Sequence, residues 1–214
     1  SGVLADEPAA VIRDICRQRQ APLWEAGQDF GGEYVLPPHA ASPSLPNVLR
    51  GSVRLLGPTL PAEYQSNPLE LGLTGKHQAD NAALAAAVLA RLTDDGWQIP
   101  AAAVRTGLAQ VRWPSRFEVL QQSPLVVVDA AHNVASAAAL RDTLATHTAS
   151  KRRWLVFGTS RDKDPTGMLQ VIAPWFDQVV LTRDQNNPRG VPPEEVAQAA
   201  AGAGCNTASL IVCR

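Results

Sequence analysis

Absences narrow the reading of this chain before any motif does. No apolar run approaches the roughly 20 residues that cross a bilayer. The start, Ser1-Gly2-Val3-Leu4, lacks the basic stretch and apolar stretch that mark a signal peptide. Charge of one sign is missing too: 19 basic residues stand against 20 acidic ones, a net charge of -1. So balanced a chain offers no electrostatic footprint for nucleic acid or an anionic membrane, and neither is expected as a partner. Only three cysteines occur, Cys16, Cys205 and Cys213. They show no metal-ligand spacing and no disulfide framework, which points to reduced thiols and a cytoplasmic setting. No G-x-x-G-K-S string occurs in the 214 residues, so the backbone cradle that such a loop forms around phosphates is absent.

What is present suffices for a core. Apolar residues make up 45% and charged residues 18%, a balance that excludes compositional disorder. The length fits one large domain or two small ones. Glu7 to Arg19 reads as a helix with Val11, Ile12, Ile15 and Cys16 on one face. A region from Pro37 to Pro68 is broken by seven prolines and reads as loops with short strand pieces, such as Val48 to Leu56. His77 to Leu92 is helical by its Ala and Leu content, and its apolar character all round predicts extensive burial. A short helix follows over Pro100 to Gln110.

After residue 115 the pattern changes. Strand-like runs at Pro124–Asp129, Arg153–Gly158 and Gln178–Thr182 alternate with helical ones at Ser136–His147, Met168–Phe176 and Pro192–Ala201. Leu210-Ile211-Val212 begins a fourth strand. Alternating strands and helices with short connections predict an α/β fold, an open, mostly parallel sheet with flanking helices. The runs are apolar without alternation, as in strands buried on both faces. We place the boundary at 112/113. The sheet is unfinished at Arg214, which suggests a truncated domain.

Ligands of open α/β sheets sit beyond the carboxyl ends of the strands. Three polar clusters fall there: Asp129 to Asn133, Gly158 to Asp164, and Arg183 to Gly190. Each also has a purely structural reading, because Asp and Asn cap helices and make turns. Their common location favours a site.

Five strings resemble one family in its own order. Trp113-Pro114-Ser115-Arg116-Phe117-Glu118 is similar to W-P-G-R-x-E, and Asp129-Ala130-Ala131-His132-Asn133 to D-G-A-H-N. Phe157-Gly158-Thr159-Ser160-Arg161-Asp162-Lys163-Asp164 is similar to F-G-x-x-x-D-K-D. Gly75 to Ala82 is similar to G-x-H-Q-x-x-N-A, and Asn187-Pro188-Arg189 to a P-R before the next helix. These are patterns of the folylpolyglutamate synthase/dihydrofolate synthase family of the Mur ligase superfamily. Ser115 and Ala130 stand where the family has Gly, and Val134 where Pro is common. Cell-wall amino-acid ligases share a similar D-x-A-H-N and are the nearest alternative. A non-catalytic nucleotide-binding module is the other.

The resemblance implies a Rossmann-like Mur ligase C-terminal domain over 113–214, preceded by the end of a central ATPase domain over 1–112. It implies an ATP-dependent ligase that adds L-glutamate to dihydropteroate or tetrahydrofolate through an acyl phosphate, as a monomer. ATP and Mg²⁺ would be used, with the metal ligands outside this chain, which alone would be inactive. Asn81, Arg116 and Asp129 would bind the nucleotide at adenine, phosphates and ribose respectively. His132 and Lys163 would serve catalysis. Asp162, Lys163 and Arg189 would bind substrate. The five tryptophans read as packing residues, and His39 and His147 belong to no cluster.

Overall fold

The computed structural model describes residues 1–36, 50–148, 152–202, 204–205 and 209–213. His39 and the Val48-Leu49 end of one expected strand lie outside them. The chain divides into two compact units, Ser1–Val128 and Asp129–Arg214.

In the first unit, helix α1 (Asp6–Gln18) precedes an antiparallel sheet of β1 (Gly31–Val35), β2 (Ser52–Leu56) and β3 (Leu69–Glu70). Strand β2 alternates: Val53 and Leu55 are fully buried, while Arg54 points outward and pairs with Glu33 of β1 at 2.7 Å. Short helix α2 (Ala62–Gln65) contributes buried Tyr64. Helix α3 (Lys76–Asp94) lies on β1 and β2, and α4 (Ala101–Gln110) contacts β3. The buried residues of α3 form a stripe, Ala79, Ala82, Ala83, Ala86, Ala87 and Ala90, at the spacing of one helix face. The expected extensive burial is thus carried by one face, and Val88 on the other side is 51% exposed. Alanine supplies both high helix propensity and a flat packing face, so an apolar sequence here does not mean an enclosed helix. On α1, Val11 and Ile15 are exposed, and Ala9 is the buried residue.

The unit ends in a hairpin, β4 (Glu118–Gln122) and β5 (Leu125–Val128), paired antiparallel through the two-residue connection Ser123-Pro124. The sequence reading made the 124–129 run the first strand of the parallel sheet. Its ladder instead runs to β4, because two residues permit only an antiparallel return.

The second unit carries the parallel sheet. Helix α5 (Val134–His147) leads to β6 (Trp154–Phe157), α6 (Pro165–Ile172), β7 (Gln178–Leu181), α7 (Pro193–Gly202) and β8 (Leu210–Val212). The order is β6-β7-β8, with both pairs parallel. The α/β class with a parallel sheet and flanking helices is as expected. Leu155, Phe157, Val179 and Leu181 share one face and pack with Met168, Leu169 and Ile172 of α6 and Val196 of α7. The opposite face is not covered at β6, where Trp154 and Val156 are 56% and 68% exposed. Burial on both faces is thus corrected for β6, whose burial alternates residue by residue. Trp97 and Trp113 are also exposed, whereas Trp175 stacks under Arg153, 4.9 Å from ring centroid to guanidinium carbon. Among the described residues no helix is long and apolar enough to cross a membrane.

Leu169 is fully buried. Leu169→Ala should cost about 2–5 kcal/mol in urea unfolding of the second unit. Val88→Ala should change stability by less than about 0.5 kcal/mol.

Candidate functional site

The segment after Val128 enters α5 through a reciprocal cap. The Asn133 side chain accepts from the Ser136 N–H at 2.8 Å, and Ser136 Oγ accepts from the N–H groups of His132 and Asn133 at 2.9 and 3.0 Å. Asn133 is therefore a structural residue. His132 is exposed, and its Nδ1 lies 3.1 Å from the Ala130 carbonyl. A carbonyl only accepts, so Nδ1 is the donor in this contact, which leaves Nε2 facing away from it. Asp129 is half-buried at the start of this segment.

The loop after β6 is an ordered relay. Ser160 Oγ donates to Asp162 Oδ1 at 2.7 Å, and Asp162 Oδ2 meets Lys163 Nζ at 2.9 Å. The Ser160 hydroxyl, then the Lys163 ammonium, hold the Asp162 carboxyl well below the usual carboxylate range. Asp164 caps α6 by accepting from the Gly167 N–H at 2.9 Å, with Pro165 opening the helix. Gly167 has a steric reason. A Cβ there would fall 2.8 Å from Val134 Cγ2 and collide with Asp164 Oδ2, so glycine lets the starts of α5 and α6 meet.

The loop after β7 is hydrogen-bonded to the loop after β6. The Arg161 N–H donates to the Arg189 carbonyl at 2.9 Å, and the Val191 N–H to the Thr159 carbonyl at 3.0 Å. Ser160 and Gly190 form an antiparallel bridge between them. The Arg161 guanidinium meets both carboxylate oxygens of Glu195 on α7, at 3.1 and 3.3 Å. Asn187 and Asp184 close Asx turns onto the N–H groups of Arg189 and Asn186. Lys163 and Arg189 are thereby carried on one two-loop pad. Beside it, a cavity of about 270 Å³ opens at the ends of β7 and β8, lined by Thr182, Arg183, Gln185, Pro193, Glu194 and Cys213.

The two remaining predicted residues lie in the first unit. Asn81 is exposed on α3 and donates to Gln78 Oε1 at 3.2 Å; the buried Gln78 in turn lies 3.0 Å from His77 Nε2. Gly75 precedes the helix with φ +117°, which a side chain would strain, and its N–H points to the Tyr34 hydroxyl at 3.4 Å. Arg116 is half-buried in a tight turn between Ser115 at φ +57° and Phe117 at φ +46°. Glu118 accepts from the Ser115 N–H at 2.8 Å, and Phe117 is buried, so the turn is held from both sides.

Within the second unit, Asp162, Lys163 and Arg189 sit on the two bonded loops after β6 and β7, and His132 sits on the segment that enters α5. Asn81 and Arg116 share no hydrogen bond with each other. Sequence reasoning missed Tyr34, Ser160's grip on Asp162, and the Arg161–Glu195 pair, whose residues are 34 apart. Among the described residues no group of three His, Cys, Asp or Glu could hold a metal, so no magnesium ligand is assigned.

Residues 115–213 match the Mur ligase, glutamate ligase domain family. The chain is 41% identical over 132 residues to the dihydrofolate synthase/folylpolyglutamate synthase of Mycobacterium tuberculosis, covering 61% of this chain and 27% of that protein. It is 38% identical over 140 residues to the UDP-N-acetylmuramoyl-L-alanyl-D-glutamate--2,6-diaminopimelate ligase of Corynebacterium glutamicum, covering 63% and 26%. A solved structure of Mycobacterium tuberculosis folylpolyglutamate synthase complexed with ADP superposes with TM-score 0.76 and 26% identity, over 96% of this chain and 42% of that one. The second unit is thus built as a Mur ligase glutamate ligase domain. Residues 115–213 are matched to that domain family, and the chain is similar to folylpolyglutamate synthases and spans less than a third of the length of these curated relatives.

Positive φ at Ser115 explains why the family pattern has Gly there. Ser115→Gly should raise stability by about 1 kcal/mol, and Ser115→Val should lower it, both read from thermal unfolding.

Proposed function

We propose that the chain is part of an ATP-dependent carbon–nitrogen ligase that joins L-glutamate to dihydropteroate or tetrahydrofolate. The folate carboxylate attacks the γ-phosphoryl group and ADP leaves. The glutamate amine then attacks the acyl phosphate, phosphate departs, and an amide forms. Lowering such barriers is mainly a matter of position and of cations near the transferring group. Magnesium, when bound, would neutralise phosphate charge; this chain's residues bind and orient.

In this reading Asn81 meets the adenine edge with an amide that both donates and accepts. Arg116, held in its strained turn, offers a rigid fork to phosphate oxygens. Asp129 accepts from ribose hydroxyls. His132 offers Nε2 to a ligand. Lys163 and Arg189 take the carboxylates of glutamate, and Asp162 holds Lys163. The domain boundary is placed at 112/113, so that Arg116 travels with the glutamate ligase domain. The reading rests most on one observation: the loops carrying Lys163 and Arg189 are bonded into a single pad at the carboxyl edge of a glutamate ligase domain's sheet. The identity to the diaminopimelate ligase favours a second reading, a cell-wall amino-acid ligase.

The test is an assay with Mg-ATP and radiolabelled amino acid, using the 214-residue chain alone and within its complete reading frame. We expect no ATP turnover by the chain alone, and glutamate incorporation into dihydropteroate or tetrahydrofolate by the complete product. Incorporation only into a nucleotide-linked muramoyl peptide would favour the second reading. ATP hydrolysis by the chain alone would contradict the expected inactivity.

A further inference from the structure

We propose that Ser160 is a positioning residue for Lys163, acting through Asp162. Three contacts converge on it. The Ser160 hydroxyl occupies one carboxylate oxygen of Asp162 at 2.7 Å, leaving the other to Lys163 Nζ at 2.9 Å. The Ser160 carbonyl accepts from the Lys163 N–H at 3.0 Å, so the same residue fixes the lysine's main chain. Its backbone bridges Gly190, the residue after Arg189.

The chemistry explains why a hydroxyl is needed. An exposed Asp–Lys pair of adjacent residues is weakly ordered, because both side chains rotate and water screens them. Here the Lys163 and Asp162 side chains are 31% and 46% exposed, so geometry cannot come from burial. A hydrogen bond from Ser160 removes the rotation of the carboxylate, and the oriented carboxylate then removes much of the freedom of the ammonium. One of the three ammonium donors is spent on Asp162, and two are left to face a ligand anion. Because Ser160 is bridged to the Arg189 loop, the main-chain segments that carry Lys163 and Arg189 are held together. Lys163's role as a ligand contact rests on the ligase reading above; its placement by Ser160 does not.

The experiment compares Ser160→Ala with Ser160→Thr in the full chain by NMR. The readouts are the Asp162 side-chain carbon titration and the Lys163 ammonium signal. Without the hydroxyl, Asp162 should titrate at higher pH, closer to the ordinary value of 3.8, because the largest cause of its depression is gone. Lys163 ammonium exchange should quicken about three- to tenfold. Threonine keeps the hydroxyl and should restore both. An unchanged Asp162 midpoint with unchanged Lys163 exchange in Ser160→Ala overturns the proposal. So does failure of threonine to restore them while the amide spectrum stays native. L-Glutamate is the ligand probe. It should shift the Lys163 signal in the wild type and bind about fivefold more weakly to Ser160→Ala. No response of Lys163 to L-glutamate would sink the ligand role of Lys163, while the Asp162 titration still decides the positioning role.

Discussion

Loops at the end of a parallel sheet inherit backbone groups that no ladder satisfies, and a binding surface made from such loops needs another source of rigidity. In the second unit that source is a pair of main-chain hydrogen bonds, Arg161 N–H to the Arg189 carbonyl and Val191 N–H to the Thr159 carbonyl. They lie past the ends of β6 and β7 and join two loops in one short antiparallel ribbon. The charged side chains depend on it. Lys163 is placed by Ser160 and Asp162 within the ribbon, and Arg161 ties its outer side to Glu195 on α7. A catalytic constellation works only when its supports are themselves fixed. Here the side-chain supports are mounted on a ribbon held by backbone hydrogen bonds.

The first unit uses backbone strain for a comparable end. Arg116 sits between two residues with positive φ, a costly arrangement that persists only when neighbours enforce it. Glu118 and the buried Phe117 do so. Strain concentrated around one half-buried arginine agrees with the phosphate role proposed for it. The His77–Gln78–Asn81 ladder gives Asn81 a similar fixed bearing along α3.

Much of this was legible in the sequence, for identifiable reasons. Every helix of eight residues or more was announced by propensity or by its caps, and β6, β7 and β8 by their β-branched runs. Position in a motif singled out Asp129, His132, Lys163 and Arg189. What stayed hidden depends on pairing between distant residues. Leu125–Val128 reads as a buried parallel strand, but its partner is β4, only two residues away across Ser123-Pro124. The Ala stripe of α3 looks like an enclosed helix because alanine does not advertise which side it packs. Ser160 is a variable position of its motif, and only coordinates reveal that its hydroxyl grips Asp162. The Arg161–Glu195 contact joins residues that no local pattern connects.

Amide hydrogen exchange resolved at Arg161 and Val191 tests the ribbon most directly. Both N–H groups should be protected to a similar degree and should lose protection together under mild denaturant, as one opening unit. Arg161 exchanging at the rate of an open loop, while Val191 stays protected, would contradict the account.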